Sequence, residues 1–299
     1  MAITIRGLTK FYGKAPALRG VDLEVGRGEI FGFLGPNGAG KTTTIRCMLD
    51  LIRPNGGTIR VLGLDPQAEP VAVRARVGYL PGELRLEDNL TVEGALRYFA
   101  RLRGGRVDWG FVRELAERLD LDLKPAIKNL SHGNKQKVGV VQALMHRPEL
   151  LLLDEPTLGL DPLMQHEVLH LIAEARAEEA TVFFSSHIMS EVQAVAERVA
   201  MIRRGEIVEV AETASLINRA LRRARVRFGQ PVDGKLLGNV PGVTVLSQDG
   251  TSVLLQVAGE MNGLIKALAT LPVRDFETER PSLEEIFLAH YESDLGEAK

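Results

Sequence analysis

Residues 35 to 43 read Gly-Pro-Asn-Gly-Ala-Gly-Lys-Thr-Thr and follow the apolar run Ile30 to Leu34. This order predicts a strand, a tight loop and a helix. Glycines let the backbone turn so that successive amide N–H groups point at phosphate oxygens. Lys41 supplies charge for terminal phosphates, and the Thr42 hydroxyl is suited to Mg²⁺. The alternative is a chance glycine-rich turn, but the strand before it and the helix after it favour a phosphate loop. The predicted nucleotide-binding residues are Gly35, Asn37, Gly38, Ala39, Gly40, Lys41, Thr42 and Thr43.

Composition limits the classes of protein that remain. The chain has 299 residues, which predicts a main domain and a smaller one. Its 37 Lys+Arg nearly balance 39 Asp+Glu, so there is no electrostatic case for a nucleic-acid partner. Cys47 has no second cysteine to pair with, which favours a reducing, cytoplasmic setting. The N-terminal residues lack the apolar stretch of a signal peptide, and no apolar run is long enough to span a membrane.

The N-terminal part alternates apolar and polar residues in two places, which predicts strands at Ile3–Ile5 and Val21–Val25. Tyr12 therefore lies near a loop, where it either packs at a strand end or stacks on an adenine ring. Further on, Asn55-Gly56-Gly57 predicts a hairpin turn into a strand at Thr58–Leu62.

Residues from about 84 to 147 change to a helical periodicity. Thr91 can cap a helix that carries Val92, Leu96 and Phe99 on one face. Ser131 opens the last helix of this region, where it is either a plain N-cap or part of an anion-binding turn. The segment is predicted to be a helical subdomain inserted into an α/β chain.

Two carboxylates follow the most apolar run of the chain. Leu150–Leu153 cannot be a surface strand, so it is predicted to be a central parallel strand buried on both faces. Such a strand delivers Asp154 and Glu155 to the sheet edge where nucleotides bind. Asp154 is suited to Mg²⁺ and Glu155 to a base for the attacking water; the alternative is an acidic turn. A further strand, Thr181–Phe184, leads to His187, which alone would more often be structural.

Taken together, the phosphate loop, Leu-Ser-His-Gly-Asn at 130–134, Asp154-Glu155-Pro156, Gly-Leu-Asp-Pro at 159–162 and Ser-Ser-His at 185–187 closely resemble the nucleotide-binding subunit of ATP-binding cassette (ABC) transporters. The match covers roughly residues 1 to 212. The resemblance implies a phosphate-loop NTPase cassette, with a parallel core sheet, an antiparallel β subdomain and a helical subdomain, that binds ATP and Mg²⁺. The roles that it implies are adenine stacking for Tyr12, contact with the partner subunit's γ-phosphate for Ser131 and Gly133, a dimer contact for Asp161, metal binding for Asp154, general-base catalysis for Glu155, and contact with the γ-phosphate and water for His187.

The chain also departs from the family pattern. The usual Gly-Gly-Gln core of the signature reads His132-Gly133-Asn134, and the glutamine that normally follows Pro81 is Gly82. Glu83 is the nearest polar substitute for that glutamine. Metal coordination from this loop is therefore an open point.

After the cassette, strand-like segments begin near Arg222 and alternate with a helix-like segment at Gly263–Leu271, which predicts a small α+β domain. The predicted domains are thus residues 1–221 and 222–299. The closing segment of the second predicted domain, Pro281–Leu288, is similar to the tail of drug- and antibiotic-export (ABC-2 type) ATPase subunits. We expect this accessory domain to serve in dimerisation.

The sequence is accordingly identified as a member of the ABC family: an enzyme that hydrolyses MgATP to energise a separate integral membrane permease, with export the expected direction. One chain holds one phosphate loop and one signature, so a complete site needs a second copy. The expected location is cytoplasmic, peripheral on the inner face of the cell membrane. The alternatives are a soluble ABC ATPase that acts on a protein or nucleic-acid machine, and a regulatory ATP sensor, which would require a missing base.

Overall fold

The computed structural model describes residues 1–105, 107–219, 222–258 and 260–279. The chain divides between Ala211 and Glu212 into two compact units. None of the described helices is both long and apolar enough to cross a membrane.

The strands up to the boundary between the units are β1 (Ile3–Tyr12), β2 (Ala15–Val25), β3 (Ile30–Leu34), β4 (Gly56–Val61), β5 (Val77–Leu80), β6 (Leu150–Asp154), β7 (Thr181–Ser186), β8 (Arg198–Arg203) and β9 (Glu206–Glu212). The helices of the first unit are α1 (Lys41–Met48), α2 (Pro70–Ala75), α3 (Val92–Leu102), α4 (Trp109–Arg118), α5 (His132–Leu144), α6 (Pro162–Ala177) and α7 (Met189–Val195).

The central sheet has six strands in the order β5-β6-β7-β3-β8-β9. Neighbours from β5 to β8 pair in parallel. Every residue of β3, β6 and β7 is buried, which explains the apolar runs at Ile30–Leu34, Leu150–Leu153 and Val182–Phe184, since helices cover both faces of a parallel sheet. Because the strands are parallel, the carboxyl ends of β3, β6 and β7 lie at the same edge of the sheet. This edge carries the candidate site. The buried central strand predicted at Leu150–Leu153 is confirmed.

The second sheet is antiparallel, with strand order β2-β1-β4. β1 and β2 are longer than predicted and meet at a tight turn in which Gly13 has a φ of 61°. The hairpin predicted at Asn55–Gly57 is wrong, because β4 pairs with β1 and is preceded along the chain by helix α1. The turn signal is real, but it joins a helix to a strand.

The helical region between residues 84 and 147 is present as α3, α4 and α5. Thr91 caps α3 by accepting a hydrogen bond from the Gly94 amide, as predicted. Val92 and Leu96 are buried on one face of this helix.

The second unit contains α8 (Thr213–Arg219), β10 (Arg222–Phe228), α9 (Lys235–Gly238), β11 (Val243–Asp249), β12 (Ser252–Val257), α10 (Asn262–Leu268) and β13 (Val273–Glu279). Its antiparallel sheet has the order β11-β12-β10-β13. Alternate residues of β10 and β12 are buried and join Leu237, Leu264 and Leu268 in a separate core. The predicted α+β character is confirmed, although α8, α9 and β13 were not predicted from the sequence. The segment Pro281–Leu288 lies outside the described residues.

Candidate functional site

The phosphate loop connects β3 to α1 and can be built only with glycine at two of its positions. A Cβ added to Gly35 would lie 2.4 Å from the backbone oxygen of Ile202, and Gly40 has a φ of 115°. A Cβ at Gly40 would also lie 2.9 Å from the Ala17 oxygen. Gly40 is the N-cap residue of α1, and within the described part of the chain no side-chain hydrogen bond caps the first turn of this helix. The amide groups of that turn therefore face an anion-binding position.

Lys41 opens α1 and is 5% exposed. Its ammonium group donates to the backbone oxygen of Gly35 at 2.5 Å and to that of Pro36 at 3.3 Å. The same nitrogen lies 3.1 Å from Oε1 of Glu155. The lysine thus links the phosphate loop to the end of β6.

Asp154 ends β6 and is fully buried. Its Oδ1 accepts a hydrogen bond from the Ser185 hydroxyl, whereas Oδ2 has no hydrogen-bond partner in the described part of the chain. A buried carboxylate oxygen without a donor is suited to a cation or to a metal-bound water. Mg²⁺ is usually held by one or two protein oxygens together with waters and phosphate, so Asp154 with the Thr42 hydroxyl fits this metal. Among the described residues there is no cluster of three metal-binding side chains.

Glu155 follows β6 in a left-handed backbone conformation, with a φ of 52°. For a residue of this type such a φ costs about 1–3 kcal/mol, and the surroundings must hold it. The backbone amide of Glu155 donates to the backbone oxygen of Ser185 at 3.1 Å. The backbone oxygen of Glu155 accepts a hydrogen bond from the Gln136 side chain at 2.9 Å. Glu155 Oε2 lies 2.8 Å from Nδ1 of His187. The structure thus brings Lys41, Glu155 and His187 together beside Asp154.

Tyr12 lies at the end of β1 and is 51% exposed. It pairs with Ala15 across the tight turn, and Ala17 on the same strand is the residue whose oxygen approaches Gly40. The ammonium group of Lys10 lies 5.6 Å from the centre of the Tyr12 ring. The β1–β2 hairpin therefore packs against the end of the phosphate loop, and the Tyr12 ring stays exposed to solvent.

Ser131, Gly133 and Asp161 form a second group. The Ser131 hydroxyl accepts from the Asn134 amide at 3.2 Å, and Asp161 accepts from two amides at the start of α6 at 3.1 Å. A Cβ on Gly133 would lie 2.7 Å from the Gly159 oxygen, so the two turns touch. Within the described residues no hydrogen bond or ion pair joins this group to Lys41 or Glu155. Both cap roles are thus real, and both residues remain exposed.

The loop after β5 is arranged differently from the expectation for Glu83. The Glu83 side chain is 80% exposed and lies 3.9 Å from Arg85. Instead, Gly82 faces Asp154, the candidate metal ligand, since a Cβ at position 82 would lie 3.0 Å from Asp154 Oδ2. In this structure Glu83 therefore makes no contact that could replace a glutamine at position 82.

Two titratable groups near the site have shifted pKa values. Burial, followed by the negative charge of Asp154, raises the pKa of the Tyr79 hydroxyl. Burial also raises the pKa of the Cys47 thiol, on helix α1, to about 11. Cys47 is accordingly a neutral core residue at physiological pH.

Sequence reasoning missed Ser185 and Gln136. Ser185 holds Asp154 through its hydroxyl, and Gln136 is 2% exposed and donates to the oxygens of both Glu155 and Pro156. A signal existed for Ser185, because a pair of serines at the end of an apolar strand is unusual. For Gln136, on helix α5, no local pattern indicates the contact.

This edge of a parallel sheet, with its phosphate loop and adjacent acidic strand end, defines a phosphate-loop NTPase. A family profile described as "ABC transporter" matches residues 18–158, and one described as "ATP-binding protein DrrA1-3-like, C-terminal domain" matches residues 213–291. The chain is 34% identical to the daunorubicin/doxorubicin resistance ATP-binding protein DrrA of Streptomyces peucetius, over 96% of this chain and 92% of the relative. It is 33% identical to the bacitracin transport ATP-binding protein BcrA of Enterococcus faecalis, over 95% and 94%.

A solved structure described as the ATP binding subunit of an ABC transporter superposes with a TM-score of 0.67 at 30% identity, covering 72% of this chain and 92% of that one. The chain belongs to the ABC transporter family of ATP-binding proteins. It is a nucleotide-binding transport ATPase, and the predicted family, cassette fold and enzyme class are confirmed.

Proposed function

We propose that the chain is the ATP-hydrolysing subunit of an exporter and energises a separate integral membrane permease. Two relatives are named for drug resistance and for bacitracin transport, and they align with almost the whole chain. The second unit matches a C-terminal domain named after such proteins. In this proposal the subunit is cytoplasmic and binds peripherally to the inner face of the membrane through the permease.

The chemical proposal rests on one observation, which is that Glu155 lies between Lys41 and His187 beside a buried Asp154. Lys41 binds the terminal phosphates of ATP and exchanges its contacts with loop oxygens for contacts with phosphate. Glu155 takes a proton from the attacking water, and His187 orients the glutamate and contacts the γ-phosphate. Tyr12 stacks on the adenine ring.

For Mg²⁺, the proposed protein ligands are the Thr42 hydroxyl and Asp154. The bound ion would neutralise charge on the phosphates. Ser185 orients Asp154, because its hydroxyl occupies Oδ1 and leaves Oδ2 for the metal side.

The proposed working form is a homodimer that encloses two ATP molecules. In the part of the chain that the structure describes, the group of Ser131, Gly133 and Asp161 makes no hydrogen bond or ion pair to Lys41 or Glu155, and Ser131 and Asp161 are exposed. A second copy can present this group to the phosphates held by the first copy.

The oligomer is tested with the variant Glu155→Gln, which should bind MgATP and hydrolyse it very slowly. To separate the sandwich contact from any contact made by the second unit, this variant is used without the residues from Arg222 onward. Light scattering after size exclusion should then give about twice the mass of the truncated chain with MgATP, and the single mass without nucleotide. The matched control is Glu155→Gln combined with Lys41→Ala, which should stay at the single mass. A single mass in MgATP for Glu155→Gln would contradict the sandwich dimer.

The permease is tested separately by purifying the tagged chain from cross-linked membranes of its host. We expect a protein with several membrane spans to copurify. Recovery of only soluble machinery would favour the alternative, an ABC ATPase that acts outside transport.

A further inference from the structure

Glu191 is a buried carboxylate that the proposed chemistry does not use. It lies on α7, four residues after His187, and it is 5% exposed. A carboxylate buried to this degree must have its oxygens satisfied, because an unpaired buried charge is strongly unfavourable.

Two hydroxyl groups satisfy it. The Thr157 hydroxyl donates to Glu191 Oε1 in a short hydrogen bond, and the Ser186 hydroxyl donates to Oε2 at 2.7 Å. Thr157 is 2% exposed and Ser186 is fully buried. The Ser186 oxygen also accepts from the Ile188 amide at 2.8 Å, which fixes the turn that follows β7.

The two donors come from the two segments that hold the reacting groups. Thr157 lies two residues after Glu155, and Ser186 immediately precedes His187. Glu155 and His187 are themselves 2.8 Å apart. Glu191 therefore closes a ring, because the turn after β6 and the turn after β7 are joined through the Glu155–His187 pair and again through the buried Glu191 carboxylate.

We propose that Glu191 is a positioning residue for hydrolysis, which sets the distance between Glu155 and His187 by holding Thr157 and Ser186. The proposal rests on the proposed roles of Glu155 and His187. Both hydroxyl groups donate inward, one to each oxygen of the Glu191 carboxylate, so both turns are held by the same side chain. This restraint acts on a glutamate whose backbone is held in a left-handed conformation.

Thr157 gives the sharpest test because its hydroxyl can be removed without changing the size of the side chain. Thr157→Val should lower kcat about 10- to 100-fold through misplacement of the base, with unchanged ATP affinity, since Thr157 lies outside the phosphate loop. Thr157→Ser keeps the hydroxyl and should restore most of the turnover. Equal activities of the valine and serine variants would overturn the proposal.

Glu191→Gln tests the acceptor, and Glu197→Gln is the matched control, because Glu197 pairs with Arg176 at the exposed surface. The first variant should lose kcat to a similar degree and the control should not. Each is repeated in a Glu155→Gln background, where a residue that acts through Glu155 should cause no further loss.

The outcomes distinguish the proposed positioning role of Glu191 from the proposed role of Glu155 as the base. If Glu191→Gln lowers the residual rate of Glu155→Gln by the same factor as in wild type, its effect is general and the positioning role is wrong. If Glu155→Gln itself keeps wild-type turnover, the proposed base is wrong, whatever Glu191 does. Melting temperatures of all variants identify any loss that comes from unfolding.

Discussion

Asp154 and Glu155 are adjacent in sequence and differ in almost every physical respect. Asp154 is fully buried, and one of its oxygens bonds to Ser185. Glu155 turns away in a left-handed conformation, and its carboxylate meets Lys41 and His187. The change in backbone direction between the two residues lets one strand end supply both the proposed metal ligand and the proposed base.

The loop after β5 gives a prediction at the same scale. Because the Glu83 carboxylate is exposed and lies beside Arg85, Glu83→Ala should leave both ATPase activity and the Mg²⁺ titration unchanged. Asp154→Asn is the positive control and should raise the Mg²⁺ concentration needed for half-maximal activity. A shifted Mg²⁺ midpoint for Glu83→Ala would mean that the loop rearranges to bring this residue to the metal.

Residues that act through local sequence could be predicted, and those that act across the fold could not. The phosphate loop and the Asp-Glu pair are each contained in one short segment, so chemistry and spacing suffice to find them. Gln136, Ser185 and Glu191 meet their partners over sequence separations of 19, 31 and 34 residues. Apart from the pair of serines at the end of β7, nothing in their own neighbourhoods indicates those contacts.

Among the elements, β3, β6 and β7 were predictable because burial on both faces gives each of them a run of consecutive apolar residues. β1 and β2 were underestimated, since their ends, near the Gly13 turn, are exposed and do not alternate between apolar and polar residues. β4 was predicted close to its true position, but the hairpin turn before it was wrong, because a turn signal does not state what precedes it.

The buried strand β6 gives a prediction at this scale. Leu152 is fully buried in the main core, so Leu152→Ala should lower the free energy of unfolding by about 2–5 kcal/mol, measured by urea denaturation. Leu102, at the end of α3, is 67% exposed, and Leu102→Ala should cost less than about 1 kcal/mol. Similar losses at the two positions would contradict the burial of β6.

At the scale of the whole molecule, each unit has its own hydrophobic core. All proposed site residues lie in the first unit, so chemistry should not require the second. We propose that the second unit holds two copies together between ATP cycles, which raises the local concentration of one cassette near the other.

Removal of residues from Arg222 onward should therefore leave ATP binding by the monomer intact and make hydrolysis steeply dependent on protein concentration. Specific ATPase activity is measured over a dilution series for the truncated and the full-length chain. Parallel curves would mean that this unit does not hold the dimer, and would leave permease docking or regulation as its role.

The central claim is that Glu155 acts as the general base in an ATPase site. The most direct measurement is the steady-state turnover of Glu155→Gln beside its affinity for MgATP. The account predicts that turnover falls about 10²–10⁴-fold while affinity is retained, since a base acts on the attacking water and Lys41 with the loop amides holds the phosphates. Turnover near the wild-type value at unchanged affinity would contradict it.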